Sequence, residues 1–395
     1  MEMKKYRLGE ICSIIPGFAF KAEDFDKGDN IVIKITDIQP PYINIENAHK
    51  VNTIPGDKRT LLLKDDFVMA MTGATIGKIG RLNRSVPNVY INQRVCKFIV
   101  KDGFSKDFLY YVLIQPVFRK FIFQNVDSSS AQPNIGHPTI YNFEFQYPPY
   151  DSQIRIAKVL SSLDSKIALN RHINAKLEQM AKRLYDYWFV QFDFPNAEGK
   201  PYKSSSGKMV WNDILKREIP EGWEVKLLGD AISINRGKTI TEKKAIKGNV
   251  KVVAAGLSFS YYHNQSNRDA NCITISGSGE NAGFVNFWRE PIYASDCSTI
   301  QFDNIVDTIL CYHTLKMQEK RFYQISHKSA QPHIQPSDIA QIPMVFPDEI
   351  VKEKVSILFA HYNTLIGKNQ KEIERLTALR DKLLPLLMNG QVTVK

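Results

Sequence analysis

The chain has 395 residues, of which 43% are hydrophobic and 24% charged, and it carries a formal net charge of +11. That length is too great for one hydrophobic core and predicts two or more domains of an ordinary soluble globular protein. No run approaches 18 apolar residues, which excludes a spanning helix, and the polar residues 1–7 lack the apolar core of a signal peptide.

Five scattered cysteines without a Cys-x-x-Cys pair fit a reducing cytoplasm and support neither zinc nor disulfides. Residues 1–199 hold 26 basic and 21 acidic side chains, and residues 200–395 hold 26 and 20. The positive excess is therefore shared by both halves, as expected of two modules that each meet a polyanion.

In chain order, residues 1–150 read as a first module of short strands. Candidates are 31–35, 66–71 and 95–100, with a helical segment near 106–123. Residues 151–193 carry a long helical pattern. Asp151 is the expected N-cap, and Leu160, Leu163, Ile167, Asn170, Asn174, Leu177, Ala181 and Leu184 recur at alternating three- and four-residue steps. Residues 194–222, polar and turn-rich, read as a linker. Residues 223–347 read as a second module, with candidate strands at 251–255, 272–276 and 299–302 and a helical segment near 306–322. Residues 348–395 carry a second long helical pattern with Phe359, Tyr362, Ile366, Asn369, Leu376 and Leu383 on its seam. Pro385 is expected to kink or end it.

The two long patterns are copies. Ala131-Gln132-Pro133 recurs as Ala330-Gln331-Pro332, and the offset of 199 carries Ile167 onto Ile366 and Leu184 onto Leu383. Even the module openings repeat, with Leu8-Gly9 matching Leu228-Gly229. Heptad spacing this long makes a narrow seam best buried against a similar seam. About 36 residues would make a rod of about 50 Å. The expected fold class is therefore α+β: two globular modules separated by two long antiparallel, coiled-coil-like helices, a tandem repeat about a pseudo-two-fold axis. Asn170 and Asn369 occupy matching seam positions, where they either pair with each other or face solvent.

Apparent catalytic motifs fail on inspection. Tyr147-Pro-Pro-Tyr150 resembles the Pro-Pro-Tyr loop of amino-methyltransferases, but Tyr147 offers no acceptor suited to the target amine. Gly73 to Lys78 has one residue too few for a phosphate loop, and Ile79 stands where the Mg²⁺-binding hydroxyl belongs. Gly277 to Gly283 misses the dinucleotide spacing. These failures favour binding over chemistry.

The candidates for DNA contact are polar loops. In the first module they are Thr72, Gly73, Thr75, Lys78, Arg81 and Arg84, then Asn92, Gln93 and Arg94, then Ser129, Gln132 and Asn134. In the second they are Arg236 and Lys238, the run Tyr261, Tyr262, His263, Asn264, Gln265 and Arg268, then Ser276 and Ser278, then Lys328, Gln331 and His333. Asn and Gln pair bidentately with adenine and Arg with guanine, while Lys positions phosphates and glycine lets backbone amides approach them.

Two dissimilar modules alternate with two similar rods that follow an Ala-Gln-Pro turn. The first rod carries residues 156–170 and the second ends in residues 383–392. This pattern resembles the DNA-sequence-specificity subunit of type I restriction–modification systems over essentially the whole chain. The resemblance implies a non-catalytic protein in which each module reads half of a split, asymmetric target in double-stranded DNA and the rods set the spacer. It implies two methyltransferase subunits using S-adenosylmethionine and restriction subunits that translocate DNA with ATP and Mg. It also implies that this chain binds no cofactor or metal and no membrane, and a cytoplasmic location. The other readings are a fused methyltransferase or nuclease and a coiled-coil scaffold for proteins.

Overall fold

Phe67, Val68, Met69 and Ala70 are all buried, so the strand they form is covered on both faces. The computed structural model describes residues 3–126, 133–327 and 332–394. The chain forms two units, Met1–Ala168 with Glu374–Lys395, and Leu169–Ile373.

In the first unit Val95–Val100 pairs antiparallel with Cys12–Pro16 and with Phe67–Ala70. The sheet then continues through Ile79–Arg81, Tyr42–Ile43 and Ile38–Gln39. A three-stranded sheet places Asn30–Ile33 between His49–Val51 and, in parallel, Val89–Ile91. Lys4–Arg7 pairs with Glu144–Tyr147. Phe67, Met69 and Phe98 share a core with the helices Lys106–Leu113 and Pro116–Gln124, while Val68, Ala70 and Val95 belong to a second core. This is the period-two alternation of a strand, with both faces apolar. The helical segment expected over 106–123 is two helices, because Pro116 opens the second and has no N–H with which to continue the first.

The second unit repeats the plan with four strands in its larger sheet where the first has six. Asn235–Arg236, Cys297–Ile300, Cys272–Ser276 and Val285–Trp288 make its larger sheet. Val250–Val253 lies between Phe259–His263 and, in parallel, Ile292–Ala294, and Glu224–Leu227 pairs with Pro343–Phe346. The helices Ile305–Met317 and Glu319–Ser326 come after the sheet strands. One backbone constraint is duplicated. The Gly17 N–H donates to the Val95 carbonyl at 3.0 Å, and the Gly237 N–H to the Cys297 carbonyl at 2.8 Å. A Cβ at either glycine would lie 2.1 Å from the carbonyl oxygen of Asn92 or Ser295, so neither position admits a side chain.

The long helices are Tyr150–Tyr185, of 36 residues, and Glu349–Met388, of 40. Every seam position expected from the heptads is buried or half-buried, whereas Leu169 and Met180, off the seam, are 50% and 49% exposed. In the first unit Leu160 shares a core with Leu387 and Met388. There Arg380 donates to Asp164 at 2.9 Å, and the Tyr111 hydroxyl donates to the other Asp164 oxygen at 2.7 Å. In the second unit Asn369 donates to Asn174 Oδ1 at 2.9 Å, and Asn174 Nδ2 to the Ile366 carbonyl at 3.3 Å. Asn170 is buried and the partner of Asn369 is Asn174, so the matching asparagines neither pair with each other nor face solvent, and the asparagine pair is shifted along the seam.

Three further expectations change. Asp151 lies inside the first helical turn and does not cap it; Asp348 caps the second long helix, accepting from the Val351 N–H at 2.8 Å. Pro385 sits within a helix that runs on to Met388, because Leu387 and Met388 are buried and hold that last turn. Residues 194–222 are folded and do not form an open linker. Met209–Asn212 pairs with Arg217–Pro220, and Phe194 stacks on Tyr202 and Trp223 with ring centroids 4.6 and 4.9 Å apart. Burying those rings outweighs the turn-rich composition around them.

Candidate nucleic-acid interface

The turn after Phe67–Ala70 begins with Thr72 and Gly73. Gly73 has φ 71°, a conformation glycine adopts without a Cβ penalty. Its N–H donates to the Pro133 carbonyl at 2.9 Å, Ile135 N–H donates to the Met71 carbonyl at 3.2 Å, and Thr72 bridges Asn134. Met71 N–H in turn donates to the Arg94 carbonyl at 3.0 Å. Three loops far apart in sequence thus meet, and Thr72, Gln93, Arg94, Asn134 and His137 line an open cleft between them. Burial holds the His137 imidazole below its usual range.

The second unit builds the same joint. Gly279, with φ 75°, donates to the Pro332 carbonyl at 3.1 Å, Ile334 N–H donates to the Gly277 carbonyl at 3.0 Å, and Ser278 bridges His333. Its side chains differ. Asp296 occupies the turn that holds Gln93 and Arg94 in the first unit, and its carboxylate accepts from the Ser278 hydroxyl at 2.5 Å. Arg236 donates to Gln335 across the same region.

Other candidates stand apart from these clefts. Lys78, Arg84, Lys238, Tyr262, Asn264 and Gln265 are exposed, and Arg84 meets Glu46 only at 3.7 Å. Asn92 and Thr75 are half-buried, and the Thr75 hydroxyl, like that of Thr72, has no hydrogen-bond partner among the described residues. Several are committed internally. Arg81 is 13% exposed, bonded to Asp107 at 2.7 Å and packed over Tyr110. His263 is buried and accepts from the Ile246 N–H at 3.1 Å. The Tyr261 hydroxyl donates to Ile240, Ser276 to Gly256, and Arg268 to Thr299 and to the carbonyls of Asn267 and Arg236. In this conformation those groups hold hydrogen-bond partners within their own unit. Ser129, Gln132, Lys328 and Gln331 lie outside the described residues.

Sequence reasoning missed His137, Asp296 and Gln335. A carboxylate is not an expected contact on a polyanion, where cations and amides do the pairing. The one available signal was position: Asp296 stands directly before the strand Cys297–Ile300, as Arg94 does before Val95–Val100. No group of three His, Cys, Asp or Glu side chains among the described residues has metal-holding geometry. All five cysteines are free and buried; burial pushes Cys12 and Cys297 up to about 12 and Cys272 to about 11, so none is a thiolate at neutral pH. No helix among the described residues is long and apolar enough to cross a membrane.

Comparison with known proteins agrees with this duplicated plan. The family model described as the type I restriction modification DNA specificity domain matches residues 1–179 and 220–376. The MjaIX type I restriction enzyme specificity subunit of Methanocaldococcus jannaschii is 26% identical over 328 residues, covering 77% of this chain and 73% of that protein. The HindI specificity subunit of Haemophilus influenzae is 24% identical across 99% of this chain and 100% of its own length. The crystal structure of a type I restriction–modification S subunit from M. genitalium shares the fold with a TM-score of 0.63 at 16% identity, covering 98% of this chain and 96% of that one. The chain belongs to the family of type I restriction–modification DNA specificity subunits.

Proposed function

We propose that this chain, a non-catalytic recognition subunit by its family, reads a bipartite and asymmetric DNA target, half with each module. Residues 1–150 and 223–347 would be the readers. The long helices, paired antiparallel like a coiled coil about a pseudo-two-fold axis, would set the spacer between half-sites, as dimer geometry does elsewhere. Two adenine-N6 methyltransferase subunits with S-adenosylmethionine, and restriction subunits with ATP and Mg, would supply the chemistry in the cytoplasm.

One observation carries this reading. The same backbone joint is built twice, Gly73 to Pro133 and Gly279 to Pro332, while the side chains around it differ. A common scaffold with divergent side chains suits two readers of different base sequences. A scaffold docking one partner twice would gain nothing from that divergence. A fused methyltransferase would instead bind S-adenosylmethionine on the purified chain.

The test is to exchange residues 1–150 for the corresponding module of a relative and map methylated adenines in a host carrying the partner subunits. One half of the target should change and the other persist. Change in both halves, or in neither, sinks the two-reader model.

A further inference from the structure

The second unit contains a cavity of about 310 Å³, near the lower end of the range for small-ligand sites. Tyr185, Phe287, Ile309, Phe359, Tyr362 and Ile366 give it apolar and aromatic walls, and its polar lining includes Arg289, Lys182, Lys316, Asn363, Glu178 and Asp186. The internal repeat shows how its polar groups differ from those of the first unit. By the offset of 199, Ala181, Ile309 and Asn363 occupy the places of Arg380, Tyr110 and Asp164 in the first unit. Strand register adds one more match. Phe287 lies opposite Ile273 as Arg81 lies opposite Phe67.

In the first unit Arg81, Tyr110 and Asp164 also line a cavity, of about 420 Å³, and there the charges are paired. Arg380 crosses to Asp164 at 2.9 Å, and Arg81 lies over the Tyr110 ring, 4.1 Å from its centroid. The second unit lacks both guanidinium groups and the carboxylate. One cation enters from a different place. Arg289 donates its Nε to Asn363 Oδ1 at 2.7 Å and lies 5.1 Å from the Phe287 centroid. No carboxylate among the described residues lies within ion-pair distance of it. Burial pulls its pKa below the usual guanidinium value, and Glu178 opposes that without pairing. Lys316 is already paired with Glu319 at 2.6 Å. A half-buried guanidinium facing aromatic walls, with a neutral amide where its sister site has a carboxylate, has no carboxylate paired directly with it among the described residues, although Glu178 and Asp186 line the same cavity.

We propose that this cavity binds a small planar aromatic carboxylate, its ring among Phe287, Tyr312 and Phe359 and its carboxylate on the free edge of Arg289. The planar fork of arginine matches a carboxylate bidentately, which a lysine would not. This goes beyond DNA reading and does not depend on it. Occupancy would clamp the two helix segments of this unit, 169–185 and 349–373, which both line the cavity.

The probe is 2-naphthoate, with its neutral carboxamide as control, titrated calorimetrically into the intact chain. The naphthoate should bind with a Kd below about 1 mM, and the carboxamide about tenfold more weakly or worse. Arg289→Gln should bring the two probes level. Ala181→Arg, which puts the sister site's guanidinium into the wall of this smaller cavity, should abolish binding of both. Equal binding of the two probes to the wild-type chain, or naphthoate binding unaffected by Arg289→Gln, overturns the proposal without reliance on a variant that fails to fold. Absence of probe binding, with Ala181→Arg blocking assembly with partner subunits, assigns the cavity to a partner's side chain and overturns it as well.

Discussion

At the scale of the residue, burial decides what a polar side chain is for. His313 was unremarkable as one of eight histidines, but it is 8% exposed, stacked on Tyr185 and Phe359. Desolvation, aided by Lys182 and Arg289 and opposed by Asp186, holds its imidazole down at about 4, against an ordinary 6.5. Between those two values the unfolded chain binds a proton that the folded one refuses, so stability rises with pH through that window and is lost on acidification. The loss between pH 7 and pH 5 should be about 2 kcal/mol. All four tryptophans lie in the second unit, so their fluorescence tracks its urea unfolding alone. His313→Phe, which keeps the stacking, should flatten the pH dependence; an unchanged pH profile would refute the assignment. Arg81 and His263 teach the same lesson in reverse. Both sit in polar loops, and sequence could not tell that one reaches Asp107 and the other a backbone amide.

At the scale of the element, the heptads were legible and the caps were not. A seam is a periodic property of many residues, so a single exception such as Arg380 does not hide it. A cap or a register depends on one or two atoms. Asn369 therefore meets Asn174 although Asn170 is its sequence counterpart. Four residues inserted after Leu169 lengthen the helix by about 6 Å and rotate its C-terminal part by about 40°. That removes Asn174 from Asn369 and moves Tyr185 from its core. Methylation mapping should find either a changed spacer or no modification, and an unaltered spacer would count against the helices as a ruler. The folded hairpin Met209–Asn212 with Arg217–Pro220 was read as a linker because turn-forming residues dominate its composition. Its hold on the unit comes from only a few apolar side chains, Phe194, Ile219 and Trp223 among them.

At the scale of the whole molecule, the main core of the first unit draws on both ends of the chain. Leu387 and Met388 are buried among the residues of the first module, more than 200 positions earlier in sequence, and Arg380 completes the Tyr111–Asp164 network there. Truncation after Ile373 should therefore unfold the first unit. Each buried Leu or Met removed costs about 2 kcal/mol. Limited proteolysis should degrade residues 1–150 in the truncated chain while tryptophan emission persists; equal resistance in both chains would show that the first module folds without its distant helix.

The sequence by itself determined the duplication, the two modules, six of the strands, the helix seams and the family. These are distributed signals, repeated over tens of residues, that survive local exceptions. Only the tertiary structure decided which loops meet. The Gly73 and Gly279 turns reach Pro133 and Pro332 through single hydrogen bonds that no periodicity foretells. The exchange of Arg380 for Ala181 reads as ordinary divergence in a repeat. Only packing turns it into a cavity with a paired guanidinium and carboxylate in one unit and a cavity without that pair in the other, because charge compensation depends on neighbours brought together from several elements.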